Sequence, residues 1–221
     1  MSKYKILMIV LFISGILIFH IVKADNSLYG RCIYLDPGHG GKDPGATYGD
    51  IKEEDINLSI AFKIKENLEN KGAIVYMTRD GDYDLSSKGA KERKKSDLYN
   101  RSKLINNSKC DLYLSLHLNA IKSPTWSGAQ VFYDDVNKEN IEIAKIIQDI
   151  LKHDLKTTRE YKEIKEGYLY KRVKVPGVLI EMGFLSNQKE RNKLKKESYQ
   201  KRISNSISKG VEAYLKNTKK R

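Results

Sequence analysis

The chain has 221 residues, is 40% hydrophobic and carries a formal net charge of +13. That length and composition fit one packed domain, and no repeat or low-complexity block interrupts it. The excess of cations favours an anionic surface such as a cell-wall polymer or anionic lipid, but the lysines are scattered, so a solvated basic face is an equally good reading.

The first residues stand apart. Residues 1–5 carry two lysines, and residues 6–19 are apolar except for Ser14 and Gly15, the pattern of an export signal. Val22 and Ala24 are small residues suited to a cut before Asp25. The apolar stretch also approaches the lower limit of roughly 17 residues for a membrane span. Residues 1–24 are therefore read as a signal peptide or an N-terminal membrane anchor, and residues 25–221 as the folded domain. Cutting removes three lysines and no acid, which takes the charge from +13 to +10. Either way the domain works outside the cytoplasm, and with no reader motif nucleic acid is not an expected partner.

Residues 31–35 predict a short buried strand. Ile56, Ile60, Ile64 and Leu68 then fall on one stripe of a helix, with Leu58, Ala61 and Phe62 close to it, and Gly72 suits the helix end. A second strand covers 73–78. Residues 82–96 are a polar excursion before a helix over 97–107. Leu112, Tyr113, Leu114 and Leu116 mark a third strand ending at His117, and a fourth covers 129–133. A helix over 138–155 follows, then a fifth strand ending near Glu181, then one helical stretch over 188–215. Strands alternating with helices predict a single α/β domain: a mostly parallel twisted sheet of about five to six strands with helices on both faces. Cys32 and Cys110 each border a strand and match no zinc or redox spacing. Buried free thiols are expected, although export permits a disulfide.

In such a sheet, ligands bind beyond the carboxyl ends of the strands. His39 lies just past the first strand in "YLDPGHGGKDPGA", His117 ends the third, and Glu181 ends the fifth. Two imidazoles and a carboxylate would form a catalytic zinc site with one position left for water. Glu53, Glu54 and Asp55 are the candidate carboxylates, although acids in a first helical turn also oppose the helix dipole. Glu181, held inside an apolar stretch, has the surroundings of a general base with a raised pKa. Gly38, Gly40 and Gly41 allow close backbone approach, and no phosphate-loop or dinucleotide signature is present.

The stretches "LDPGHGGKDPGA", "EEDINLSIAFKIKENLENKGAIVYMTR", "LYNRSKLINN", "LYLSLHLNA" and "IEMGFLSN" resemble, in order and spacing, the zinc-dependent N-acetylmuramoyl-L-alanine amidases. The resemblance covers residues 33 to about 214. It implies one Zn²⁺ ion held by His39, Glu53 and His117, with Glu181 as the catalytic glutamate. The family usually reads Glu-Lys-Asp where this chain has Glu53-Glu54-Asp55, and a register slip of one would make Glu54 the ligand. The implied substrate is peptidoglycan, glycan strands bearing peptide stems, cut between N-acetylmuramic acid and L-alanine. Arg79 and Asn119 are further candidates to touch it.

"HLNAIKSPTWSGAQVFY" and "YLYKRVKVPGVLIEMGFLSN" resemble the sporulation branch of the family more narrowly. That branch implies muramic-δ-lactam formation in the spore cortex, a partner deacetylase acting on the product, an activating or stabilising partner protein and a place in the forespore intermembrane space. A vegetative autolytic or cell-separation amidase is the alternative, and a wall-binding protein without catalysis is a third reading.

Overall fold

The computed structural model describes residues 26–218, so the leader reading for 1–24 lies outside the described residues. β1 (Cys32–Pro37) leads into a two-stranded ribbon, β2 (Thr47–Tyr48) and β3 (Ile51–Lys52), and then α1 (Glu53–Glu69). β4 (Ile74–Met77), α2 (Arg93–Ser108), β5 (Leu112–Asn119) and β6 (Gln130–Tyr133) follow. The chain continues through α3 (Asn140–Leu155), β7 (Lys162–Glu163) and β8 (Gly177–Phe184) to α4 (Gln188–Leu194) and α5 (Glu197–Asn217). Six strands form one sheet in the order β4-β1-β5-β8-β6-β7. The first four are mutually parallel, β6 runs antiparallel to β8, and β7 parallel to β6. The expected α/β class and the mostly parallel sheet are both present.

Side-chain alternation along the strands divides the packing. Leu112, Leu114 and Leu116 of β5 join Val178 and Ile180 of β8 beneath Ile60, Ile64, Ile147, Ile203 and Ile207 from α1, α3 and α5. Each such burial contributes roughly 1.5–3 kcal/mol before entropy. Tyr34 and Tyr113 point to the opposite face, against Ile105 of α2 and Leu169 and Val173. The α1 stripe is buried at Ile56, Ile60, Ala61, Ile64 and Leu68, whereas Phe62 is turned outward and 43% exposed. Among the described residues no helix is long and apolar enough to cross a membrane.

Three expectations are corrected. Cys32 and Cys110 form a disulfide, not free thiols. Cys32 opens β1 and Cys110 sits just before its neighbour β5, so the register that pairs Ile33 with Leu112 also brings the two Cα atoms within 4.6 Å. The terminal helical stretch is two helices, because Lys196 is extended at φ −85° and ψ 125°. Gln200 Nε2 donates to the Leu194 carbonyl freed by that break, and Leu194 and Ile203 are both fully buried on either side of it. α2 begins at Arg93, four residues before the expected start.

Candidate metal centre

His117 and Glu181 are register partners on β5 and β8. They therefore share one face at the carboxyl edge of the sheet. His39 reaches the same edge through a turn in which it adopts φ +64°, an uncommon conformation for a residue with a side chain. The turn is held by Arg101 Nη2, which donates to the His39 carbonyl at 2.6 Å, and by paired backbone bonds between Gly40 and Asp43. Two glycines make room for the cluster. A Cβ on Gly38 would stand 2.1 Å from His117 Cε1, and one on Gly45 would stand 2.6 Å from Glu53 Oε2. The β2–β3 ribbon then delivers the start of α1, where Glu53 N–H donates to the Ala46 carbonyl at 2.9 Å.

Glu53 Oε1 lies 3.1 Å from His39 Nε2 and 3.0 Å from His117 Nδ1. The two imidazoles meet edge to face with centroids 4.9 Å apart. One donor atom from each of the three residues falls within 4.8 Å of the others. Glu53 also accepts the Leu118 and Ala46 N–H groups, both at 3.0 Å, and Asn57 Nδ2 at 3.3 Å. Burial alone would raise its pKa, but the hydrogen bonds and charges of His117 and His39 overcome that and hold the carboxyl well below the usual carboxylate range. For His39, burial works against the charged form, but Glu53 and Asp43 outweigh it and raise the imidazole. Asp43 Oδ2 sits 3.1 Å from His39 Nδ1, the orienting contact expected of a carboxylate behind a ligating histidine. Of the other acids in the first turn, Glu54 is buried and paired with Lys52 at 3.0 Å, and Asp55 is exposed. Only Glu53 meets the histidines.

Glu181 Oε2 is closed off from solvent and has no hydrogen-bond partner. Burial is the main influence on its pKa. Together with the negative charge of Glu53 it outweighs His117 and His39, and the carboxyl is raised to about 7. A cavity of about 250 Å³ opens on this cluster, lined by Gly38, His39, His117, Leu98, Arg101 and Tyr170 among others.

Arg79 is corrected from a substrate contact to a scaffold. It is 1% exposed, and its guanidinium donates to the carbonyls of Pro37, Gly38, Glu54 and Gly81. Asn119 ends β5, with its carbonyl accepting the Leu185 N–H at 2.8 Å. Sequence reasoning passed over Asp43 and the buried Asp36. Asp36 accepts from Arg101, Thr78 and Ser115 at 2.8, 2.7 and 2.9 Å, and Arg101 also pairs with Asp97 at 2.9 Å. Both acids stand in the glycine-rich stretch, Asp43 four residues after His39, and that local crowding was the available signal.

A profile described as N-acetylmuramoyl-L-alanine amidase matches residues 33–213. The germination-specific N-acetylmuramoyl-L-alanine amidase of Bacillus subtilis is 50% identical over 192 residues, 85% of this chain and 81% of that one. The structure of the CwlD amidase from Clostridioides difficile, solved in complex with the GerS lipoprotein, shares 39% identity and a TM-score of 0.80 over 84% of this chain and 98% of that one. The catalytic domain of the amidase CwlV from Bacillus (Paenibacillus) polymyxa superposes with a TM-score of 0.74 at 27% identity, over 84% of this chain and 98% of that one. With sequence and fold agreeing over nearly the whole described domain, the chain belongs to the N-acetylmuramoyl-L-alanine amidase family.

Proposed function

We propose that the chain is a zinc amidase of the spore cortex, which frees peptide stems from muramic acid so that a deacetylase can complete the δ-lactam. The observation that carries the chemistry is the convergence of two imidazole nitrogens and one carboxylate oxygen beside Glu181, whose Oε2 is shielded from solvent and has no hydrogen-bond partner. That donor set suits zinc, with His39, Glu53 and His117 as its ligands. When bound there, zinc polarises a carbonyl oxygen and makes a water more acidic. Asp43 fixes the His39 ring, and Gly38 and Gly45 leave room for the ligating side chains.

Glu181 carries the proton. Its carboxylate takes one from the attacking water as the water oxygen bonds to the lactyl carbonyl carbon. It then delivers that proton to the alanine nitrogen as the C–N bond breaks, leaving a free amine and a lactyl carboxylic acid that loses its remaining proton to solvent. Burial raises the metal-free carboxyl to about 7, and a bound cation beside it would draw that value back down, keeping Glu181 ionised as the base that first takes the proton.

The cortex assignment is supported by the 50% identity to a germination-specific enzyme. An accessory protein belongs to the same proposal, since the Clostridioides difficile relative was solved with a lipoprotein. The signal peptide or anchor read in residues 1–24 would place the domain on the extracytoplasmic face of the membrane, in the forespore intermembrane space. The test is stem release from cortex peptidoglycan by the full-length chain, with and without zinc, read by mass spectrometry beside Glu181→Gln. Zinc-dependent release that falls about 10³-fold in the variant is expected. Equal release by Glu181→Gln would overturn the mechanism.

A further inference from the structure

One aromatic side chain stands on the catalytic edge with no part in the chemistry above. Trp126 is the chain's single tryptophan, lies between β5 and β6, and is 48% exposed. Its ring is backed by protein on one side. The Arg159 guanidinium carbon lies 4.3 Å from the Trp126 ring centroid and 5.0 Å from that of Phe184, an interaction of cation with aromatic face. Arg159 Nε also donates to the Ser127 carbonyl at 3.0 Å. Glu190 pins the same segment, with Oε1 accepting the Gly128 N–H at 2.7 Å and Oε2 the Phe184 N–H at 2.8 Å. The indole is thus a fixed platform on a loop tied to β8.

Its position is set by the strands. Phe184 follows Glu181 by three residues on β8, about 10 Å at the usual strand rise, and pairs in register with Asn119, two residues past His117. The platform therefore borders the edge that holds the clustered donors.

We infer that Trp126, steadied by Arg159, forms a sugar subsite that seats a ring of the glycan strand next to the muramoyl unit being cut. This rests on the amidase reading: the scissile amide hangs from the lactyl group of a sugar, so the strand itself must cross this edge. A flat indole with a polar rim suits the apolar C–H face of a pyranose. The adjoining Ser123, Thr125 and Ser127 suit its hydroxyls, with Ser123 and Thr125 already exchanging a hydrogen bond at 2.8 Å. A protein partner fits less well, because a stable protein interface asks for a broad complementary surface around its anchor.

The test uses the full-length chain and fluorescence excited at wavelengths that tryptophan absorbs and tyrosine does not, so that among 14 tyrosines and one tryptophan it reports Trp126 alone. A peptide-free oligosaccharide of alternating N-acetylglucosamine and N-acetylmuramic acid is titrated into the wild type. A saturable change in emission is expected. Trp126→Ala is expected to raise KM for stem-bearing glycan about tenfold with kcat within twofold, Trp126→Phe to recover most of that loss, and cleavage of a single muramoyl-L-alanine unit to be unchanged in both. Silent emission, an unchanged KM in Trp126→Ala, or a response to an accessory protein and not to glycan would each overturn the subsite. If the wild type released no stems yet its emission still answered to glycan, the amidase mechanism would fall and the sugar subsite would stand.

Discussion

Along β5, Leu114 and Leu116 point into a layer of aliphatic side chains from α1, α3 and α5, while Ser115 and His117 point the other way, Ser115 to Asp36 and His117 to Glu53. Toward the carboxyl end of the strand the two faces are thus packed by opposite chemistry, while Tyr113, nearer its start, joins the second apolar cluster. The aliphatic face gains from every buried methylene and needs no particular partner at each position. The polar face buries Asp36, Glu53, Arg79 and Arg101, groups that are costly unless each finds its partner. One face supplies stability through aliphatic burial, and the other holds the clustered donors His39, Glu53 and His117.

Three changes would break or sharpen this division. Arg101→Leu leaves Asp36 and Asp97 buried without their cation and frees the His39 carbonyl. Unfolding free energy is expected to drop by about 4 kcal/mol, and zinc affinity should fall with it, as read by denaturant melts and chelator competition. Loss of stability with unchanged zinc affinity would show that the polar layer is only structural. Leu114→Ala on the opposite face is expected to cost about 3 kcal/mol and roughly 9 °C in Tm, with kcat per folded molecule unchanged. A matching loss of kcat would mean the faces are not separable.

The third effect is a pH dependence. Glu181 titrates near 7 in the folded chain against an ordinary value of 4.5. Between those values the folded state binds more protons than the unfolded one, so stability falls as pH rises through that window. In metal-free protein, Glu181→Gln is therefore expected to be more stable than wild type by on the order of 3 kcal/mol at pH 8, with little difference at pH 4. Thermal melts at both values check it, and a constant difference would mean the carboxyl is not raised.

The same division explains what could be read in advance. Ile56, Ile60, Ile64 and Leu68 announced their helix because aliphatic packing follows local period. His39, His117 and Glu181 were legible because the carboxyl ends of parallel strands share an edge, although β5 and β8 run on to Asn119 and Phe184 and do not end at His117 and Glu181 as expected. Glu53 could not be told from Glu54 without the family resemblance, since the difference lies in how the β2–β3 ribbon sets α1 against β5. The disulfide depended on which strand neighbours β1. Arg79 carried no local sign that backbone carbonyls would occupy its guanidinium. β7 has both residues exposed, so it carried no apolar signal at all.

Zinc stoichiometry and affinity in the full-length chain, measured by chelator competition on wild type, Glu53→Ala and Glu54→Gln, test the metal centre most directly. One zinc per chain in wild type and in Glu54→Gln is expected, with binding at least about 100-fold weaker in Glu53→Ala. Undiminished zinc in Glu53→Ala, or its loss in Glu54→Gln alone, would contradict the ligand set and with it the assignment of the polar face.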